Sequence, residues 1–147
     1  LSFPSPLAST ISDWDLYLYE SGTKEIDFCE NIDNIDCAGP RLGLVFRVNS
    51  LAEAQSEMKS FEATAKTSLE SLILAKTNPS SYTGFKDATY NAIKLRYFNF
   101  PVAPETKPSS ITSLNYAVVS TKNGNFIVIA TSRLSFYKII DALMASK

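Results

Sequence analysis

The sequence predicts an α+β domain: an antiparallel sheet of five to six strands with one long and one C-terminal helix packed on one face, in the order β-β-β-α-β-β-β-α. Three observations carry that prediction. Several segments alternate apolar and polar residues with period two, as half-buried strands do. One long segment repeats its apolar residues every three to four positions behind a capping box, as an amphipathic helix does. Asn123-Gly124 joins two strand-like runs, and this dipeptide favours a tight hairpin and hence antiparallel pairing. At 147 residues the chain suits one domain, read as an extended N-terminal segment over 1–12 and a single α+β domain over 13–147.

In chain order, Trp14, Leu16 and Leu18 alternate with Asp15, Tyr17 and Tyr19, which predicts the first strand. Ser21-Gly22-Thr23 reads as a turn, and Ile26 and Phe28 suggest a short return strand ending at Cys29. Leu42, Leu44, Phe46 and Val48 define one apolar face of the next strand. Ser50-Leu51-Ala52-Glu53 is the capping box, its serine hydroxyl placed to accept from the Glu53 amide. Behind it Ala54, Met58, Phe61, Ala65, Leu69, Leu72 and Ile73 form the helical stripe, with Glu57, Lys59, Glu62, Lys66 and Glu70 directed away from it. Asn78-Pro79 ends the helix, because a residue before proline is pushed out of the α region. The helix should therefore run for roughly 26 residues, about 39 Å.

Residues 85–100 read as one long strand, Ile93, Leu95 and Tyr97 alternating with Lys94, Arg96 and Phe98. The stretch 101–112 holds three prolines and reads as an exposed loop. Residues 114–121 and 125–131 make the hairpin, with a type I′ turn that sets both Asn123 and Gly124 at positive φ. Phe126 to Ala130 are all apolar, which predicts a strand in the centre of the sheet. Ser132 is placed to cap a last helix carrying Phe136, Ile140, Leu143 and Met144. In topology this order is similar to the longin/roadblock and PsbP-like α+β sandwiches.

Composition narrows the function classes. Apolar residues are 45% and charged residues 20% of the chain, so it belongs with ordinary globular domains rather than disordered ones. A net charge of −1 gives no long-range field for nucleic acid or an anionic membrane, so no nucleic-acid partner is expected. No run reaches the ~18 apolar residues a bilayer span requires, so these residues are not expected to insert in a membrane directly. Residues 1–12 lack both a basic start and an apolar run and do not read as a signal peptide.

The chain has no histidine, which excludes serine–histidine and cysteine–histidine nucleophile systems. Its two cysteines, Cys29 and Cys37, bracket an acidic loop. Three readings fit them: a disulfide, two reduced thiols, or two ligands of a metal. A zinc site would lack its other cysteine or histidine ligands, and a redox pair has Cys-x-x-Cys spacing, so the disulfide is preferred. Such a bridge contributes about 2.5 kcal/mol in the chain-entropy model and implies an oxidising compartment.

Each other candidate has a bland counterpart. Ser135 with Lys138, and Ser56 with Lys59, fit Ser-x-x-Lys, but two matches in one short chain show how unspecific that pattern is. Asp13 and Asp15 share one face of a strand beside Trp14, as paired carboxylates of sugar-processing sites do; a strand with its acids in water and Trp14 packed inward has the same letters. Glu30, Asp33 and Asp36, with Asn31 and Asn34, supply oxygen ligands without the EF-hand order. Lys94 to Phe100 interleaves basic and aromatic residues, yet lacks the glycines of an RNA-recognition strand. The five glycines form no phosphate loop. No catalytic, cofactor or metal residue is assigned.

The runs Ile93 to Pro101, Leu114 to Val118 and Ile129 to Ser132, followed by Ile139 to Asp141, resemble the C-terminal portion of uncharacterised membrane-anchored proteins of uncultured candidate-phylum bacteria. That resemblance covers about a third of the chain and implies an extracytoplasmic domain displayed on a membrane anchor, with no catalytic residue to transfer. The expectation is thus a non-catalytic extracytoplasmic domain, at the cell surface, in the periplasm or secreted, whose partner is another protein or further copies of itself. Its aromatic content of 12% favours interface anchors, and the extended start is placed to dock on a neighbour's sheet edge. The alternative is a carrier of a small apolar ligand or lipid, with a pocket formed by Met58, Phe61, Phe98 and Phe126. An unfamiliar enzyme would instead need Asp13, Asp15, Asp33, Asp36 and Asp141 to converge.

Overall fold

The computed structural model describes residues 5–20, 40–69, 84–100 and 112–145. These form α1 (Ser5–Thr10), β1 (Ile11–Glu20), β2 (Pro40–Val48), α2 (Leu51–Leu69), β3 (Lys86–Tyr90), β4 (Ile93–Phe100), β5 (Thr112–Thr121), β6 (Gly124–Ala130) and α3 (Arg133–Ala145). The strands make one antiparallel sheet of six, in the order β1-β2-β6-β5-β4-β3, so the α+β class is the one the sequence predicts. β1 and β2 pair as neighbours. The chain then passes through α2 to the opposite margin, and β3 to β6 return strand by strand until β6 pairs with β2.

Alternation along the strands sends side chains to two faces. On one, Leu44, Phe46, Phe98, Leu114, Tyr116, Ile127 and Ile129 pack with Ala54, Met58, Phe61 and Ala65 of α2. On the other, Val45, Leu95, Ala117, Val119, Phe126, Val128 and Ala130 pack with Phe136, Ile139 and Ile140 of α3. The two helices therefore cover opposite faces, where the sequence reading set both on one. The cause lies in β6: it is apolar and buried from Phe126 to Ala130, and apolar residues facing both ways need a cover on each side. Gly43 lets α3 come close, since a methyl group on its Cα would lie 2.1 Å from Ile139 Cδ1.

The caps form as expected. Ser50 Oγ accepts from the Glu53 amide at 3.3 Å, and Ser132 Oγ accepts from the Ser135 amide at 3.0 Å. Three other features differ, and some expectations fall outside the described residues. Residues Ser5–Thr10 are helical and β1 starts at Ile11, so the first twelve residues are not one extended segment. α2 is described over Leu51–Leu69, and its expected continuation to Asn78 lies outside the described residues, as do the return strand at 26–28 and the proline-rich stretch 101–111. Gly124 takes positive φ (132°) while Asn123 does not, so the β5–β6 turn is not the I′ type; the Thr121 hydroxyl accepts from the Asn123 amide and supports the turn from within.

The remaining difference concerns 85–100, which is two strands rather than one. Asn91 (φ 48°) and Ala92 (φ 65°) form a tight turn between β3 and β4. A left-handed backbone costs an L-residue roughly 1–2 kcal/mol, least for asparagine, so Ala92 gives no local signal of the turn. Side chains outside the turn hold it. Tyr90 stacks on Tyr137 of α3 at 3.8 Å between ring centroids, and Asp141 accepts from Tyr90 Oη at 2.9 Å and from Asn91 Nδ2 at 3.1 Å. Ala92→Gly relieves the strain at an exposed position and should stabilise the fold by about 1 kcal/mol, raising the thermal midpoint by about 3 °C in a calorimetric scan.

Candidate functional site

Two regions combine exposed apolar or charged groups with a defined geometry: the margin at β1 and the far end of the sheet around β4. A polar anchor under α2 positions the second. Glu62 projects from α2 over the sheet, its side chain only 14% exposed. Its carboxylate accepts from Arg96 Nε, from Arg96 Nη2 at 2.9 Å, from Tyr116 Oη at 2.6 Å and from Lys59 Nζ at 3.1 Å. Arg96 also donates through Nη1 to Asp87 Oδ1 at 2.6 Å, tying β3 to β4 and both to α2. Phe85 meets the rings of Phe98 and Tyr116 edge-on at 4.7 and 5.5 Å, closing the apolar side of this cluster.

The electrostatics follow from that geometry. Burial pushes the Glu62 carboxyl up, but the donated hydrogen bonds from Arg96, Tyr116 and Lys59 outweigh it and hold it below its usual 4.5. Burial, then the Glu62 carboxylate, pushes the Tyr116 phenol well above its usual 10.0. The hydrogen bonds of Glu62 raise Arg96 against an opposing contribution from burial. These groups satisfy one another, and the cluster is a structural tie between helix and sheet.

At the other margin, β1 pairs among the described residues on one side only, with β2. Trp14, Leu16 and Leu18 lie opposite Phe46, Leu44 and Leu42 and so belong to the α2 face. They remain 61%, 52% and 77% exposed, and Trp14 does not pack inward as the bland sequence reading required. Asp13 and Asp15 project to the opposite face with Arg47, which stacks over Phe126 at 5.3 Å. The Asp13 carboxylate accepts from its neighbour's amide, Trp14 N, at 2.8 Å, beside an irregularity in the β1–β2 register.

The other sequence candidates separate. Ser135 is buried, its hydroxyl donating to the Ser132 carbonyl at 3.1 Å and accepting from Ser132 Oγ at 2.8 Å, while Lys138 is exposed. Ser56 is exposed, and Lys59 pairs with Glu62. The strand from Lys94 to Phe100 divides between the faces: Arg96 joins Glu62, Phe98 enters the core, and Arg133 stacks on Tyr97 at 4.0 Å. Asp141 holds the β3–β4 turn, whereas Asp13 and Asp15 sit on the opposite margin. Cys29, Cys37, Glu30, Asn31, Asp33, Asn34 and Asp36 lie outside the described residues, and among the described residues no three acids or cysteines come together. Among the described residues the four side chains proposed for an apolar pocket do not line one. Met58 and Phe61 border a space with no room for a water molecule, Phe98 is buried on the same face, and Phe126 lies on the other.

Sequence reasoning passed over Glu62, Arg96 and Tyr116. The available signal was position: Glu62 follows Met58 by four residues and precedes Ala65 by three, which sets it at the border of the buried stripe rather than away from it. No protein-family model matches the chain, and no curated protein matches it. Among the described residues no helix is long and apolar enough to cross a membrane.

Glu62→Ala leaves Arg96 and Tyr116 without their shared acceptor and should cost about 2 kcal/mol in urea unfolding at neutral pH. Because the folded carboxyl titrates below 4.5, its contribution is present above that value and fades as pH falls through the lower folded one. The gap between wild type and Glu62→Ala should therefore narrow with acidification. Tyr116 acts at the other extreme: unfolded tyrosines ionise above about 10 while the folded one stays protonated, so stability should fall as pH rises past that point.

Proposed function

We propose that this domain associates with a second copy of itself through β1, as a non-catalytic, extracytoplasmic element of a cell-surface or envelope assembly. The observation that carries this reading is a ten-residue strand whose outer margin is unpaired among the described residues and whose Trp14, Leu16 and Leu18 are exposed. Soluble proteins ordinarily blunt such margins with lysine, proline or a short strand. Residues 11–20 contain no lysine, arginine or proline.

The strand can pair with itself antiparallel without opposing its acids. With Leu16 on a two-fold axis, position 14 falls opposite 18, 13 opposite 19 and 15 opposite 17. Trp14 and Leu18 then meet on the α2 face, and neither aspartate faces another acid. A register two residues shorter would set Asp15 against itself, which like-charge repulsion disfavours. A tryptophan flanked by leucines is a common core of a protein interface. The absence of histidine from the chain and the mutual satisfaction of Glu62, Arg96 and Tyr116 support a surface role over a reaction centre.

Sedimentation velocity over a rising concentration series should show a reversible dimer. Leu16→Lys, at a half-exposed position, should shift it to monomer without lowering the thermal midpoint. A wild-type chain that stays monomeric throughout, or a variant that pairs equally well, defeats the reading. The extracytoplasmic part rests on the spacing of Cys29 and Cys37, and predicts that thiol titration of native protein from an oxidising compartment finds neither sulfur free.

A further inference from the structure

The sheet is split at one end. β4 and β5 pair from Phe100↔Thr112 to Arg96↔Tyr116 and no further. β4 nevertheless stays paired with β3 as far as Ile93, and β5 with β6 as far as Thr121. Among the described residues, 93–95 and 117–121 thus each run beside a neighbouring strand on one side only, and a space of about 590 Å³ opens between them. That volume is within the range of roughly 300–1,000 Å³ typical of ligand sites. The gap is braced open, because the β3–β4 turn is drawn onto α3 by the Tyr90–Tyr137 stack and by Asp141, while Arg96 holds the base of the split to Glu62.

We propose that this split receives an extended peptide as an inserted strand, with carboxylates alternating with apolar side chains. The backbone of 93–95 and 117–120 offers N–H and C=O groups on the sides that face the gap, which an extended chain can pair as a strand and a compact small molecule cannot. The two rims differ in chemistry. Toward α2 the lining carries Lys59, Lys94 and Arg96. Set against Glu62 and Asp87, these three cations leave one positive charge over, and among the described residues Lys94 has no acidic partner. Toward α3 the lining is Ile93, Val119 and Met144, and Met144 is 55% exposed. An inserted strand sends alternate side chains to these two rims, so acids belong on one side and aliphatic residues on the other.

The probe is the blocked hexapeptide acetyl-Glu-Val-Glu-Val-Glu-Val-amide, titrated into isotopically labelled full chain and followed by amide NMR. Saturable shifts should appear at residues 93–96 and 117–120, with slowed hydrogen exchange of those amides. Replacing each peptide glutamate by lysine should weaken binding about tenfold or more, and Lys94→Glu in the protein should do the same toward the original peptide. Lys94 is exposed, so the variant's unchanged thermal midpoint serves as its folding control. Absence of saturable binding, equal affinity for the acidic and basic peptides, or shifts confined to 13–18 would overturn the proposal. Repeating the titration on Leu16→Lys protein separates this site from β1, since self-association and insertion then fail or succeed independently.

Discussion

β6 is the strand on which the rest of the molecule depends. It is buried from Phe126 to Ala130 and hydrogen-bonded on both margins, to β2 on one side and β5 on the other. Ile127 and Ile129 need α2, while Phe126, Val128 and Ala130 need α3, so one five-residue run demands both helices. Burying large aliphatic and aromatic side chains contributes roughly 1.5–3 kcal/mol each, and this strand concentrates four of them at the sheet's centre. Two polar ties stand toward the far end of the sheet, at Glu62 with Arg96 and at Asp141 with the β3–β4 turn.

Burial declines outward from that strand. β5 and β2, next to it, are buried over most of their length, while β1 and β3 at the margins are largely exposed. α2 lies over the inner strands and meets α1 at its edge, so it leaves Trp14, Leu16 and Leu18 uncovered on β1. On the other face α3 lies over β5, β6 and β2, and its Tyr137 and Asp141 reach the β3–β4 turn. Both candidate surfaces arise from this geometry: one helix does not reach a margin, and the other pulls a hairpin away from its neighbour.

Much of this was legible in the letters. The capping serines, the period-two strands and the doubly apolar β6 are local signals whose physics is local, and the structure carries each of them. The placement of the helices was missed although its cause was visible, because a strand apolar on both faces already implies two covering layers. The Asn91-Ala92 turn was missed for a different reason. Alanine has no preference for positive φ, and what stabilises the turn lies some fifty residues away at Asp141. The opposite error occurred at Asn123-Gly124, where a strong dipeptide signal predicted the hairpin correctly and its turn type incorrectly. The Glu62 anchor shows the general limit: helical periodicity separates buried from solvated positions, but a residue on the border is decided by which strand residues lie beneath it, here Arg96 and Tyr116.

The sheet order has a consequence for how the chain assembles. β2 precedes β6 by some eighty positions, yet they are adjacent strands. As the polypeptide is made, β1 and β2 wait with β2's inner margin unsatisfied until β6 emerges. Such long-range closure slows folding and leaves a nascent chain sticky for most of its synthesis. A holding chaperone is accordingly of most use to β1 and β2, and a ribosome stalled before residue 124 would present two separate parts of the sheet, each lacking the strand that joins them.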